Sequence, residues 1–526
     1  MKICNLSEYI KMLNEKGLLV HDGATCSEYA QGGDFPVIGL SYDSRTVSDG
    51  TLFICKGAAF RREYLEKALS CGARAYISET DYHAGGKCIL VTDVRAAMAC
   101  VSKRFYNTDK PLPLIVGITG TKGKTTASFM LKRIFDVYNA SQCRPKSAII
   151  SSLITYDGQE LFSSSLTTPE SPDLRRHIMN AAESGCPQLI LEVSSQALKY
   201  GRTDGTDFDA VCFLNIGEDH ISKAEHRDFE DYFSAKLSIF SKTDTAFIFS
   251  GCSYLDRISD KASACDCAAK FFGFMTDDDV FCSDISELGA TGTQFTVNSK
   301  GENQSYSLSM SGKHNLENAL AAIAVAEHFG VPAEVIREAL SCVSVPGRDT
   351  KFISSDGKLT AIVDYAHNEL SMTALLESTR SIYPGKRIVT VFGCPGGKAV
   401  NRREGMARPA SRYSDYIILT EDDPGYEQAC EICASISECL KRMGSLVPYE
   451  TVLPRQQAIK RAFELASDGG VVLLCGKGAE TVQKINGRDV PYNGDGYYVM
   501  EEIQKYDART LHPSSGQNAE AEIIYV

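Results

Sequence analysis

No stretch of the 526-residue chain approaches the ~20 consecutive apolar residues that a membrane helix needs, which excludes a membrane-spanning role. The opening MKICNLSEYIKMLNEKGLLV carries a charge every few residues and has no apolar run leading to a small-residue cleavage site, so it reads as neither signal peptide nor anchor. Positive charge is also short: 55 Lys and Arg against 67 Asp and Glu leave a formal charge of −12. Nonspecific nucleic-acid binding rests on neutralising phosphates, so DNA or RNA is excluded as the main partner. A phosphorylated small substrate must then be held by local donors. Missing too is a disulfide framework. The 19 cysteines are odd in number and scattered, as expected of reduced, buried thiols in a cytoplasmic protein. There is no internal repeat or low-complexity tract, only a Ser/Gly/Asn-containing tail after about Leu511.

What is present is an alternation of short apolar runs with helical patterns. The clearest strand candidates are Leu114–Ile118, Leu189–Val193, Ala210–Ile216, Ile362–Val363, Ile388–Phe392, Tyr416–Leu419 and Val471–Cys475. Runs this apolar are expected of parallel strands buried on both faces, and segments such as Asn318–Phe329 supply the helical crossovers. The fold class is α/β, and the length predicts about three domains. Boundaries fall at the polar, proline-bearing stretch Asn107–Pro111 and at Val345-Pro346-Gly347, giving an amino-terminal domain to residue 108, a central domain over 109–345 and a carboxy-terminal domain over 346–526.

The strongest motif is Gly117-Ile118-Thr119-Gly120-Thr121-Lys122-Gly123-Lys124-Thr125-Thr126, set between a predicted strand and a helix beginning near Thr125. Glycines let the backbone wrap phosphates, amide N–H groups point inward, Lys124 supplies a point charge and the Thr125 hydroxyl is a Mg²⁺ ligand. The strict pattern requires Gly where Ile118 stands, so the loop is a variant. Two later strands run into polar residues, Glu192-Val193-Ser194-Ser195 and Gly217-Glu218-Asp219-His220. Ligands collect beyond the carboxyl ends of such strands, so Glu192 and His220 are candidate metal ligands facing the loop.

Read in order, these residues resemble the Mur ligase family. The similarity continues through Asp43-Ser44-Arg45 and Gly50–Phe53, Thr167-Thr168-Pro169, Arg202, Lys236, Gly312–Asn318, Gly347-Arg348, Asp364–His367, Phe392-Gly393-Cys394, Arg402-Arg403, Asp422-Asp423-Pro424 and Gly476–Glu480. The resemblance implies a central P-loop ATPase domain on a parallel sheet, an α/β amino-terminal domain and a Rossmann-like carboxy-terminal domain. It places ATP and Mg²⁺ at Gly120, Thr121, Gly123, Lys124, Thr125 and Thr126, with Glu192, His220 and Lys236 as further metal ligands. Asn315 and Asn318 lie at the adenine, and Arg348 and Asp364 close over the nucleotide. Ser44 and Arg45 hold a UDP group; Thr167, Thr168, Ser194 and Arg202 hold a muramyl-peptide; Arg403, Asp422, Asp423, Gly476 and Glu480 surround an incoming amino acid.

From the residues alone Lys236 reads as an exposed lysine on a helix Phe229–Phe240. The resemblance instead implies a carbamylated lysine there. An ammonium ~4 Å from Mg²⁺ would be repelled by roughly 8 kcal/mol at an effective dielectric near 20, and carbamylation turns that repulsion into attraction. Several positions depart from the family pattern. The segment Asp219–His226 is two residues longer than the common form, and Gln196 and Tyr200 replace residues often His and Gln. Asn368-Glu369 stands where Thr/Ser-Pro is common, and Gly425 follows Asp422-Asp423-Pro424 where an Arg accompanies meso-diaminopimelate use.

The implied reaction joins an amino acid to the free carboxylate of UDP-N-acetylmuramoyl-L-alanyl-D-glutamate through an acyl-phosphate, in cell-wall peptidoglycan synthesis, by a cytoplasmic protein expected to act as a monomer. L-Lysine is favoured because Gly425 offers no partner for a second carboxylate. The alternatives are a meso-diaminopimelate-adding enzyme, with Arg402 or Lys398 supplying that partner, a folylpolyglutamate-synthetase-like ligase, and a nucleotide-dependent switch without ligation.

Overall fold

The computed structural model describes residues 3–20, 33–57, 60–219, 221, 225–289, 292–397 and 400–511. Three sheets carry the architecture, each with its own apolar core. The first is four parallel strands in chain order, Gly39–Ser41, Thr51–Ile54, Ala75–Ser78 and Lys87–Leu90. Leu52, Ile54, Ala75 and Ile77 bury one face against the helices Leu6–Glu15 and Val94–Phe105, while Phe53 and Tyr76 pack with Leu65 of the helix Arg62–Ser70 on the other. That one-in, one-out alternation is the period-2 geometry of a strand.

The second sheet has eleven strands. Its centre is parallel, in the order Ala148–Ile150, Gln188–Glu192, Leu114–Thr119, Ala210–Phe213, Thr245–Phe249, Ala268–Gly273 and Val280–Glu287. Both flanks turn antiparallel, through Ile154–Tyr156 with Leu161–Ser163 on one side and Thr293–Ser299 with Glu302–Leu308 on the other. The wholly parallel sheet expected from the apolar runs is therefore the middle of a mixed one. The flanking strands escaped the apolar-run criterion because they alternate: in Thr293–Ser299, Thr293, Phe295 and Val297 are buried and the residues between them are not.

The third sheet runs Thr350–Ile353, Leu359–Asp364, Gly470–Cys475, Ile388–Phe392, Tyr416–Leu419 and Tyr449–Thr451, parallel except for its first strand. Helices Glu369–Ile382, Asn401–Tyr413 and Ala429–Arg442 cover one face, and Arg455–Leu465 and Asp495–Leu511 the other. Both faces are buried, which is why these strands read as continuous apolar runs. Cys430 and Cys433 stand at C-x-x-C spacing, but Cys430 is exposed while Cys433 is buried and donates to the Thr420 carbonyl, and both are free thiols. Among the described residues no helix is long and apolar enough to cross a membrane.

Candidate active site

Strand Leu114–Thr119 lies between Gln188–Glu192 and Ala210–Phe213, so the carboxyl ends of all three open onto one place. The phosphate loop turns there and feeds the helix Lys124–Ser141. Gly123 has φ +83°, and a Cβ on it would stand 2.2 Å from Oδ1 of Asn318, so both the left-handed backbone and the close approach require glycine. Lys124 folds back over the loop, donating to the carbonyls of Gly120 at 2.9 Å and Thr121 at 3.3 Å. Burial lowers its pKa, with Glu192 and Asp219 acting against that.

Beside the loop, oxygens gather. The Thr125 hydroxyl is 3.2 Å from Oε2 of Glu192 and 2.9 Å from the Ser152 hydroxyl, while the Ser152 N–H donates to Oε1 of Glu192 at 3.1 Å. Glu192 is fully buried; burial raises its pKa and Lys124 lowers it. Two hydroxyls and a carboxylate are hard oxygen donors, and they fit a small divalent cation that keeps part of its water shell. Ser152 went unnoticed in the sequence, although it follows Ala148–Ile150, the strand beside Gln188–Glu192. The same strand-end rule that singled out Glu192 points to it. His220 lies outside the described residues.

Lys236 is not exposed. It sits on the helix Phe229–Leu237 with 1% of its surface accessible, its ammonium donating to the Gly120 carbonyl at 2.9 Å and lying 5.0 Å from the centre of the Tyr232 ring. The helix stops at Leu237 and tightens into a 3₁₀ turn over Ser238–Lys242, so it is shorter than expected. Tyr232 shares a 2.8 Å hydrogen bond with the Thr121 hydroxyl, which ties this helix to the loop. Burial, reinforced by Lys124 and Lys122, holds the Lys236 pKa well below its ordinary value. Lys122 donates to Oδ2 of Asp219 at 2.8 Å, and burial brings its pKa down to about 8.

The segment expected to hold the muramyl-peptide is braced from behind. The Thr168 hydroxyl donates to the Glu192 carbonyl at 2.8 Å and accepts the Ser194 N–H at 3.0 Å. Ser194 caps the short helix Ser195–Lys199 by accepting from the Ala197 N–H. Arg202 donates to the Thr168 carbonyl at 3.1 Å and pairs with Glu170 at 3.0 Å. Lys56 of the first sheet's unit pairs with the same Glu170 at 2.8 Å. Arg202 thus supports Thr168, with the half-buried Thr167 alongside. In the amino-terminal unit Ser44 is buried, whereas Arg45 is exposed and pairs with its neighbour Asp43 at 2.6 Å.

On the helix Lys313–His328, which also carries Asn318, Asn315 donates to the Ser311 carbonyl at 2.8 Å. Asp364 accepts the N–H groups of Asp349 and Ala366, both at 2.8 Å, and the Arg348 guanidinium lies 4.3 Å from the Tyr365 ring centre. Further out, the buried Lys477 lies 2.7 Å from Glu480, 2.9 Å from Asp423 and 3.8 Å from Asp422. Gly476 is needed against this cluster: at φ +105°, a Cβ would meet Oδ2 of Asp422 at 2.6 Å. Burial raises the Asp422 pKa to about 6, against the pull of Arg455 and Lys477. Lys477 escaped the sequence reading, although it sits inside the quoted Gly476–Glu480 motif. Arg403 pairs with Glu427, so it braces the loop after Pro424. Gly425 has φ +63° and is bonded on both sides to the hairpin Val482–Pro491, donating to the Lys484 carbonyl at 2.8 Å and accepting the Asn486 N–H at 2.6 Å. Lys398 lies outside the described residues.

Known proteins resemble this chain over most of its length. Residues 118–326 match the Mur ligase middle domain and residues 347–478 the family described as Mur ligase, glutamate ligase domain. The chain is 37% identical over 470 residues, 88% of its length and 91% of the relative's, to the UDP-N-acetylmuramoyl-L-alanyl-D-glutamate–L-lysine ligase of Enterococcus faecalis. It is 37% identical over 493 residues, 89% of its length and 93% of the relative's, to the UDP-N-acetylmuramyl-tripeptide synthetase of Lactobacillus delbrueckii subsp. bulgaricus. Among solved structures a UDP-N-acetylmuramoyl-L-alanyl-D-glutamate–2,6-diaminopimelate ligase superposes with a TM-score of 0.64 at 24% identity, covering 95% of this chain and 99% of that one. The MurF ligase of Thermotoga maritima in complex with ADP superposes with a TM-score of 0.57 at 18% identity, covering 91% of this chain and 98% of that one. The chain belongs to the Mur ligase family.

Proposed function

We propose that this chain is an ATP-dependent, ADP-forming ligase that adds L-lysine to the free carboxylate of UDP-N-acetylmuramoyl-L-alanyl-D-glutamate in peptidoglycan precursor synthesis. The observation that carries the reading is the convergence of Lys124 and Lys236 on the phosphate loop beside the Thr125, Ser152 and Glu192 oxygens, in a chain that also holds a carboxylate cluster in its third sheet's unit. The L-lysine ligase named among the relatives supports the choice of amino acid. So does Gly425, which has no side chain to receive a second carboxylate. Residues 1–108 take the UDP precursor in this reading, 109–345 the ATP and 346–526 the amino acid. The protein acts on small molecules alone, as a cytoplasmic monomer, without nucleic acid or membrane.

A carboxylate does not react with an amine at neutral pH, so it must first be activated. Its oxygen attacks the γ-phosphorus of ATP, the bond to the β-phosphate oxygen breaks, and ADP leaves an acyl-phosphate. The neutral amine of lysine then attacks the acyl carbon, the C–O bond to phosphate breaks, and the amine proton is lost to solvent. Thr125, Glu192, His220 and Lys236 would hold Mg²⁺, which when bound offsets phosphate charge. Lys124 would meet the γ-phosphate and the loop amides would orient the chain of phosphates, so catalysis is chiefly positioning and electrostatics. Burial disfavours the charged form of Lys236, and a neutral amine is the form that combines with CO₂, which supports a carbamate there. Asp422 and Glu480 would receive the side-chain ammonium of lysine, and the third sheet's unit would exclude water from the acyl-phosphate. Phosphate release from purified protein tests the reading. Release that requires both UDP-muramyl-dipeptide and an amino acid is expected, and release that ignores either would contradict it.

A further inference from the structure

Asp219 stands where the phosphate loop meets the third sheet's unit, and its carboxylate is 8% exposed. Oδ2 accepts from Lys122 of the loop at 2.8 Å and from the Asn368 side-chain amide at 3.0 Å, and Oδ1 lies 3.5 Å from the Arg402 guanidinium. Asn368 caps the helix Glu369–Ile382: its Oδ1 accepts the Ser371 N–H at 3.1 Å. With the oxygen committed to the cap, the amide nitrogen is fixed toward Asp219, and flipping the amide would lose both bonds. Two residues beyond Asn368, Leu370 reinforces the contact, since a Cβ on Gly217 would meet its side chain at 2.9 Å. Met372, Leu375 and Leu376 anchor that helix in the core of the third sheet.

Arg402 extends the connection. Its neighbour Arg403 pairs with Glu427, which accepts the Gly397 N–H at 2.9 Å, and the Gly396 N–H donates to the Asp423 carbonyl at 3.0 Å. Asp423 in turn pairs with Lys477 at 2.9 Å. Polar contacts, joined through the backbone at Arg402-Arg403 and Gly396-Gly397, therefore link the loop lysine to the carboxylate cluster. We infer that Asn368 and Arg402 are positioning residues that dock the amino-acid-binding unit onto the phosphate loop through Asp219, setting the distance between the acyl-phosphate and the attacking amine. This rests on the ligase reading above.

The test uses the full-length protein and the variants Asn368→Asp, Arg402→Ala and Arg402→Lys. Asn368→Asp keeps an oxygen for the helix cap but turns a carboxylate toward Asp219, so stability should hold while docking fails. The KM for the amino acid should rise about tenfold or more, as expected for losing a charge-assisted contact, with more than one phosphate released per peptide bond as water intercepts the acyl-phosphate. Arg402→Ala should act in the same direction, and Arg402→Lys should recover part of the loss. The radius of gyration from X-ray scattering with ADP bound should increase in Asn368→Asp, a readout that needs no turnover. Should Asn368→Asp melt more than about 5 °C low, a loss that would implicate the cap, Arg402→Ala carries the decision. Unchanged amino-acid KM, unchanged phosphate-to-peptide ratio and an unchanged radius in the deciding variant would overturn the inference. Failure of the wild-type protein to form peptide would overturn the ligase reading instead, leaving the scattering comparison to judge the docking.

Discussion

The two polar centres of this molecule carry opposite charge. At the phosphate loop, Lys122, Lys124 and Lys236 crowd around Gly120–Thr121 with Asp219 and Glu192 as the carboxylates. In the third sheet's unit, Asp422, Asp423 and Glu480 surround the single Lys477. Burial acts on both in the same sense, against charge: it depresses the lysines and raises Asp422. Burial therefore opposes the charge of Lys122 and Lys124 at one centre and of Asp422 at the other, and a ligand of opposite sign, phosphate or ammonium, acts against that.

The comparison breaks most severely at the loop. Lys124→Ala should lower phosphate release by about a thousandfold with the fold intact, the scale expected when a donor to developing charge is removed; circular dichroism and a phosphate assay check both. On the proposed carbamate, Lys236→Ala would remove one ligand to a bound cation and should cost about a hundredfold, with partial recovery on adding a short carboxylic acid in its place. Recovery read against acid concentration separates this from a packing defect.

At the other centre the losses are smaller. Asp422→Asn should lower kcat/KM for lysine about ten- to a hundredfold while the KM for ATP holds, because one charge-assisted hydrogen bond is worth about 1.5–3 kcal/mol. Its pH dependence has a definite sign. The Asp422 pKa is raised to about 6, so the negative charge that attracts an ammonium is present above that pH and lost as pH falls through it. A kcat/KM profile for lysine that drops below about pH 6 in the wild type, and flattens in Asp422→Asn, is expected. The smallest change concerns Arg202→Ala. Glu170 keeps its partner Lys56, so the KM for UDP-muramyl-dipeptide should rise only about three- to tenfold, with the KM for ATP unchanged.

The phosphate loop was legible in the sequence because its chemistry is contiguous: glycines, lysine and threonines are neighbours, and the strand and helix around them have strong periodicities. Glu192 was legible by its place at a strand end. Lys236 was not legible from its own segment, since its burial depends on how the helix Phe229–Leu237 docks on a loop more than a hundred residues away in the chain. Ser152 was missed because the three-residue strand before it, Ala148–Ile150, is too short to stand out as an apolar run, so the strand-end rule was not applied there. Arg202 and Arg403 were recognisable as cations, but their partners Glu170 and Glu427 appear only when the chain folds. The antiparallel flanks of the central sheet were missed because half-buried strands lack the apolar runs of the parallel ones.

The charge contrast between the two centres is tested most directly by the choice of amino acid. The acid-rich cluster and the bare backbone of Gly425 favour a side chain ending in an ammonium alone. Specificity constants for L-lysine and meso-diaminopimelate, measured at saturating ATP and UDP-muramyl-dipeptide, should favour lysine by about tenfold or more, the value of one unmatched carboxylate. An equal or larger constant for meso-diaminopimelate would contradict the account.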